Sequence, residues 1–172
     1  MYKETFYYID HADAVLNSKG IVEVVEFFDY NCTYCKKAFR IIRRLLNNRN
    51  DIKIILKAIP VVNELSIYAT EIGHAILMSE PNKYIQYFET LMNDFKYTKN
   101  PVYDVLILNN IDIDKLKKIL SIYKPRIDEM IKNDLELANK FGIKKTPTFI
   151  INGEIIQGIL DFDTFNNKIV KK

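Results

Sequence analysis

An apolar run without helical period, Ile21 to Phe28, gives way within a few residues to a segment that has one: Cys35, Phe39, Ile42, Leu45 and Leu46 recur at helical spacing after Asn31. This switch constrains the fold more than any other feature. Ile21-Val22-Glu23-Val24-Val25-Glu26-Phe27-Phe28 is nearly continuous in apolar residues, the pattern of a strand covered on both faces, so Ile21–Asp29 reads as a central strand. The helix that follows carries Lys36, Lys37, Arg40, Arg43 and Arg44 on its other faces, with Asn31 as the expected N-cap. Ile52 to Ile59 is another buried strand, stopped at Pro60. Strand, helix, strand is a βαβ unit, for which a right-handed crossover is expected.

The flanks complete an α/β pattern. Thr5 to Ile9 reads as an earlier strand, separated from Ile21 by a polar segment ending in Gly20. From Glu64 to Phe141 the helical period dominates, in the segments Glu64–Ser79, Asn82–Asp94, Val102–Asn109, Asp114–Tyr123 and Arg126–Phe141, with Pro81, Pro101 and Pro125 at or just before their starts. Tyr84, Tyr87 and Phe88, and Phe95 with Tyr97, are read as the core of these inserted helices, with a fraction of them free to line a groove for unfolded substrate. Gly142 fits the C-cap of the last one. Thr146 to Ile151 and Glu154 to Gln157 are then two strands joined by Asn152-Gly153, the strongest short hairpin signal. Phe162 to Val170 reads as an amphipathic closing helix capped by Asp161.

Composition narrows the function classes. The 172 residues suit one domain, or one domain with an insertion, and 48% hydrophobic with 27% charged residues is ordinary for a globular protein. A net charge of +3 with basic residues scattered over helix surfaces, such as Lys115 to Lys118, argues against nucleic-acid binding. No run reaches the roughly 20 apolar residues of a membrane span, and Met1 to Ala14 lacks the apolar centre of a signal peptide, so no stable membrane insertion is expected. Two locations stay open: periplasmic or otherwise exported after removal of a signal peptide, or cytoplasmic if Met1 is the native start.

Both cysteines, Cys32 and Cys35, fall in one Cys-Thr-Tyr-Cys motif. A disulfide between them closes a loop too short to restrain the unfolded chain, so reactivity or metal binding outranks a structural bridge. At a strand-to-helix junction Cys32 sits near the helix N-terminus, where the dipole and unpaired N–H groups lower a thiol pKa and populate the thiolate. Cys32 is therefore the expected attacking residue, and Cys35, one turn further in and more buried, resolves the mixed disulfide. Thr146-Pro147 opens a strand-like run. A cis peptide suits that place, whereas trans is the ordinary default.

The two features in this order, separated by a helical insertion, resemble the DsbA-like branch of the thioredoxin superfamily. The matching residues are Glu26-Phe27-Phe28-Asp29-Tyr30-Asn31-Cys32-Thr33-Tyr34-Cys35 and Gly142-Ile143-Lys144-Lys145-Thr146-Pro147-Thr148-Phe149-Ile150-Ile151-Asn152-Gly153. The resemblance implies an α/β thioredoxin fold over residues 1–62 and 142–172 with an all-helical subdomain inserted at 63–141. It implies a cis Pro147 beside the cysteines, with Thr146 and Pro147, and Thr33 and Tyr34 between the cysteines, binding substrate as an added strand. It also implies that Glu26 is a buried acid that shuttles the proton of Cys35, against the plainer reading of a strand Glu facing solvent, and that Lys57 on the next strand pairs with it. The implied partners are unfolded or misoxidised proteins and a protein that resets the cysteines, with no cofactor beyond the redox-active Cys32/Cys35 pair.

The best-known oxidases of this branch carry Pro-His between the cysteines and Val before the cis proline. Here the residues are Thr33-Tyr34 and Thr146. These choices look closer to the DsbC, ScsC and Com1 type proteins, several of which shuffle or reduce disulfides. Disulfide isomerase or general thiol exchange is accordingly favoured over a DsbA-type dithiol oxidase that introduces disulfides into exported proteins. The isomerases gain function by oligomerising through an N-terminal segment, so either such a segment was trimmed ahead of Ile21 or the chain is monomeric. The rival classes are a zinc site and a redox-inactive adaptor. Zinc is disfavoured because a closed site needs about four ligands, and beyond the cysteines there are only His11, read as a surface-loop residue, and His74, read as a partly buried, hydrogen-bonded helix residue. Retention of both cysteines at the helix start argues against the adaptor.

Overall fold

The computed structural model describes residues 13–93 and 100–170. The two apolar runs form parallel strands β2 (Val22–Phe28) and β3 (Ile52–Ala58), joined by helix α1 (Thr33–Asn48). Antiparallel strand β1 (Ala14–Leu16) adds to the free edge of β3. On the other side β4 (Thr148–Ile151) runs antiparallel to β2 and turns into β5 (Glu154–Gln157), giving the five-stranded order β1-β3-β2-β4-β5. Asn152 and Gly153 both adopt positive φ, 52° and 81°, as a two-residue hairpin turn of this hand requires.

Between β3 and β4 lie α2 (Glu64–Ser79), a short 3-10 turn (Pro81–Lys83), α3 (Tyr84–Met92), α4 (Pro101–Leu108) and α5 (Ile113–Lys140), and α6 (Phe162–Val170) closes the chain. This is the thioredoxin fold with its helical insertion.

Alternation along β2 sorts its side chains. Val24 and Phe28 face the larger core under α1, with Phe149 of β4 packed on Phe165 of α6 at 4.9 Å between ring centroids. Val25 and Phe27 face a smaller core closed by Ala138 of α5 and by Ile143. Edge-to-face rings lock the insertion to the sheet and to α1: Phe88 meets Phe28 of β2 and Phe39 of α1 at 5.2 Å each, and such pairs contribute about 1 kcal/mol apiece beyond their buried area. Tyr84, Tyr87 and Phe88 are all buried, as core residues of the inserted helices should be. Phe95 and Tyr97 lie outside the described residues.

Three expectations need correction or restriction. The proposed strand Thr5–Ile9 lies outside the described residues, while the polar segment before Gly20 contains β1, three residues too short to show a period in sequence. The helices read as Asp114–Tyr123 and Arg126–Phe141 are one, α5, with Pro125 inside it. Proline's fixed φ is itself helical, and Pro125 forfeits one N–H bond on an exposed turn while Leu116, Ile127 and Ile131 on either side are held in the core. Gly142 ends this helix at φ 66° as expected, and Asp161 caps α6 by accepting from Thr164 N at 2.9 Å.

Candidate active site

The site forms where β2 ends and α1 begins. Cys32, not Asn31, is the N-cap: its backbone is extended at φ −81°, ψ 116°, and its sulfur accepts from the Cys35 N–H at 3.3 Å. Asn31 instead donates its own backbone N–H to Asp29 Oδ1 at 2.7 Å. A sulfur in the cap position takes up one of the four orphan donors of the helix start, and the partial positive charge there favours its anion. Thr146, on the loop entering β4, accepts from the Cys32 thiol at 3.4 Å through its carbonyl oxygen, and the Thr146–Pro147 peptide is cis. The fold thus brings Cys32, Cys35, Thr146 and Pro147 together. Thr33 and Tyr34 stand exposed on the outer side of the first turn, with the Lys37 ammonium 5.4 Å from the centre of the Tyr34 ring.

The two thiols are driven apart in acidity. The hydrogen bond with Cys35 leads the lowering of the Cys32 pKa to about 6, against the opposing effect of burial and with further help from the backbone N–H groups of Cys35 and Tyr34. Burial pushes Cys35, fully shielded from solvent, far above an ordinary thiol, and its hydrogen bond to Cys32 and the charge of Glu26 add to the rise. At neutral pH the pair therefore holds one anion, on Cys32, and one proton, on Cys35.

Glu26 points into the same core as the cysteines and has no exposed surface, so the solvent-facing reading fails. Among the described residues neither of its carboxylate oxygens finds a hydrogen-bond partner. Burial, followed by the charge on Cys32, raises its pKa to about 8. Lys57 does not pair with it. The parallel register sets Glu26 beside Leu56 and Phe27 beside Lys57, which sends Lys57 through the opposite face of the sheet to Asp13 at 2.7 Å and Asp134 at 3.0 Å.

Two residues of the site escaped the sequence reading. Asp29, wholly buried at the end of β2, accepts from Val61 N at 2.8 Å and Val62 N at 3.0 Å through Oδ2 and from Ser66 Oγ at 2.7 Å through Oδ1, besides Asn31. It ties the cysteine turn to the loop after β3 and to the first turn of α2. Its sequence signal was an acid closing an otherwise apolar strand. Lys36, placed on an outer face by its period, is buried; burial lowers its pKa while the charge of Cys32 opposes the fall. His74 is buried within α2, and His11 lies outside the described residues. Among the described residues no cluster of histidine, cysteine and acidic side chains is arranged to hold a metal ion.

Fold and dithiol pair together define the class: a thiol-disulfide oxidoreductase of the thioredoxin superfamily, in its DsbA-like branch. More narrowly, the chain belongs to the Thioredoxin_4 family, described as thioredoxin, which matches residues 15–171. It is similar to the disulfide bond formation protein D of Bacillus subtilis (strain 168), 23% identical over 160 residues that cover 88% of this chain and 72% of the relative. Among solved structures it resembles a thioredoxin-like oxidoreductase from Silicibacter pomeroyi DSS-3, at 25% identity and TM-score 0.84, covering 93% of this chain and 91% of the other. It also resembles the thiol-disulfide exchange protein alpha-DsbA2 from Wolbachia pipientis, at 24% identity and TM-score 0.86, covering 98% and 90%.

Proposed function

We propose that the chain exchanges disulfides with substrate proteins, with Cys32 as nucleophile and Cys35 as resolving thiol, and that it works as an isomerase or general thiol exchanger. The observation that carries this reading is the division of the pair into a stabilised anion at the helix cap and a buried, protonated partner one turn below. The Cys32 thiolate attacks a substrate disulfide; the S–S bond breaks, a mixed disulfide forms and a substrate thiolate leaves. Cys35 then gives up its proton and attacks Cys32, releasing the second substrate thiolate, so that the substrate gains the two electrons the pair loses. If the first released thiolate instead attacks a second disulfide of the same substrate, and the thiolate displaced there attacks the mixed disulfide and frees Cys32, the result is isomerisation with no net electron transfer.

Glu26 is the proton store in this scheme. With its pKa near 8 it is mostly protonated at neutral pH, ready to protonate Cys35 when Cys35 is the leaving sulfur; in the reverse direction it must first ionise to take that proton. Thr146 and Pro147, with Thr33 and Tyr34 on the other flank, receive the substrate as an extended strand beside Cys32. The pair itself is the only redox group the cycle uses. An exported, oxidising compartment goes with this reading, because substrate disulfides persist there.

A dithiol oxidase is the second reading, favoured by the name of the Bacillus relative. The Cys32 value of about 6 argues for the first: a strongly oxidising pair needs a more stabilised thiolate, with a pKa of about 3.5, and general exchangers lie near 7. Reduction potential and recovery of scrambled ribonuclease, measured on one preparation, decide between them. An exchanger shows a potential well below about −120 mV and rescues the scrambled protein; a potential at about that value without rescue makes it an oxidase.

A further inference from the structure

Helix α1, which begins at the cysteines, carries Lys36, Lys37, Arg40, Arg43 and Arg44 and no acidic residue. From Cys32 the residues Lys36, Arg40, Arg43 and Asn47 follow at helical spacing; Lys36 is buried, and Arg40 and Arg43 carry the exposed charge along this face. Several surface cations elsewhere are matched: Lys124 pairs with Asp128, Lys132 with Glu136 and Lys168 with Glu154. Among the described residues Arg43 and Arg44 meet no carboxylate. Their guanidinium groups lie over aromatic rings, Arg43 at 5.9 Å from Phe39 and Arg44 at 4.1 Å from Phe162, which holds both in place without neutralising them. They border a shallow, open depression of about 330 Å3 whose described lining is Arg40, Arg43, Arg44, Asn47, Asn48 and Asn93.

We propose that this basic face is a docking site for an acidic segment of the protein partner whose disulfide is exchanged at Cys32, an inference that rests on the thiol-exchange reading above. At 1.5 Å per residue the two arginines lie roughly 17 Å along the helix from Cys32. A partner footprint of about 800 Å2 spans roughly 30 Å and reaches both. Guanidinium forks suit carboxylates, and a charged patch in line with the reactive sulfur steers an oppositely charged partner onto it. A membrane surface fits less well, because these side chains surround a concavity instead of flanking an apolar ridge.

The test titrates the reduced full chain with a fluorescent, cysteine-free peptide bearing a run of glutamates, read by anisotropy, with the glutamine counterpart as control. Below about 50 mM salt the glutamate peptide should bind at least about tenfold more tightly than the control, and physiological salt should erode the difference. Arg43→Gln with Arg44→Gln should weaken it at least about fivefold, whereas Arg43→Lys with Arg44→Lys retains most of the binding. Arg43→Gln alone serves if the double variant does not fold. Alkylation of Cys32 and exchange with an uncharged cystine peptide should not change in any of these variants. Equal binding of the two peptides, equal binding by wild type and glutamine variant, or retention of phosphatidylglycerol vesicles without peptide binding overturns the docking site. A wild-type chain that binds the acidic peptide but exchanges no cystine overturns the proposal through the chemistry of the cysteines and leaves the basic face an anion site, so the two failures are told apart.

Discussion

Two acids of unlike strength share the space under the helix cap, and each has its own pH signature. Cys32 should react with iodoacetamide at a rate that rises through a midpoint near pH 6, followed by mass spectrometry; a midpoint near the ordinary 9.0 would show that the cap does not hold an anion. Glu26 acts in the opposite sense on stability. Its folded-state pKa, about 8, exceeds the ordinary 4.5, so between those values the unfolded chain sheds a proton the folded chain keeps. The unfolded state then binds fewer protons, and stability falls as pH rises through that window. Glu26→Gln should therefore stabilise the reduced protein by on the order of 4 kcal/mol at pH 8 and by little at pH 4, in urea unfolding at the two values. Cys32, whose value is depressed, adds stability as pH rises from about 6, so the wild-type profile alone is blunted and the difference from the variant isolates Glu26. Which sulfur would be the anion was legible in the sequence, because a helix start after a buried strand dictates it. That Glu26 is wholly buried was not: a Glu in an apolar run fits either face of a sheet until its neighbours assign it.

Elements are placed here by ties that no single segment announces. Asp29 joins the end of β2 to the loop after β3 and to α2 through three hydrogen bonds and holds the cysteine turn through a fourth, from Asn31, all of which it accepts. Asparagine in its place presents one donor to groups that are themselves donors. Asp29→Asn should cost about 2–3 kcal/mol in urea unfolding and speed hydrogen exchange of the Val61 and Val62 amides, read by NMR. Pro125 gives the contrary case. It reads in sequence as a helix boundary, yet α5 runs through it because the core residues on both sides fix the helix against α2 and the sheet. Since a proline inside a helix costs up to about 3 kcal/mol, Pro125→Ala should raise stability by about 1–3 kcal/mol, seen as a higher thermal midpoint; two separate helices meeting at Pro125 would instead lose stability or show no change. The strands and most helices were legible because each runs long enough to show a period. The edge strand β1 and the continuity of α5 were not, since both are decided by neighbours distant in sequence.

Across the whole molecule, one sheet keeps two buried charge systems on opposite faces, and they should behave independently. Under α1 lie the cysteines and Glu26, the groups between which charge moves in the proposed exchange. On the far side Lys57 of β3 bridges Asp13, ahead of β1, and Asp134 of α5, so a single ammonium clamps the sheet edge to the longest helix. Burial pulls the Lys57 pKa down, but Asp134 and Asp13 outweigh it and the net shift is upward. A cation with a raised folded-state pKa contributes stability that is complete below its ordinary value of 10.5 and is lost as pH climbs through the folded-state value, so the clamp fails only in strong alkali. Lys57→Met leaves two carboxylates facing each other in a buried site and should cost about 3–5 kcal/mol at pH 7, easing as acid protonates them. Adding Asp13→Leu and Asp134→Leu should recover most of that loss, because apolar side chains of similar volume replace a buried ion cluster at little cost. The Cys32 alkylation midpoint and the reduction potential should stay at wild-type values in both variants, measured on the fraction that is folded. A shifted potential in Lys57→Met would mean that the ammonium acts on Glu26 through the sheet, the pairing that the sequence suggested and the parallel register excludes.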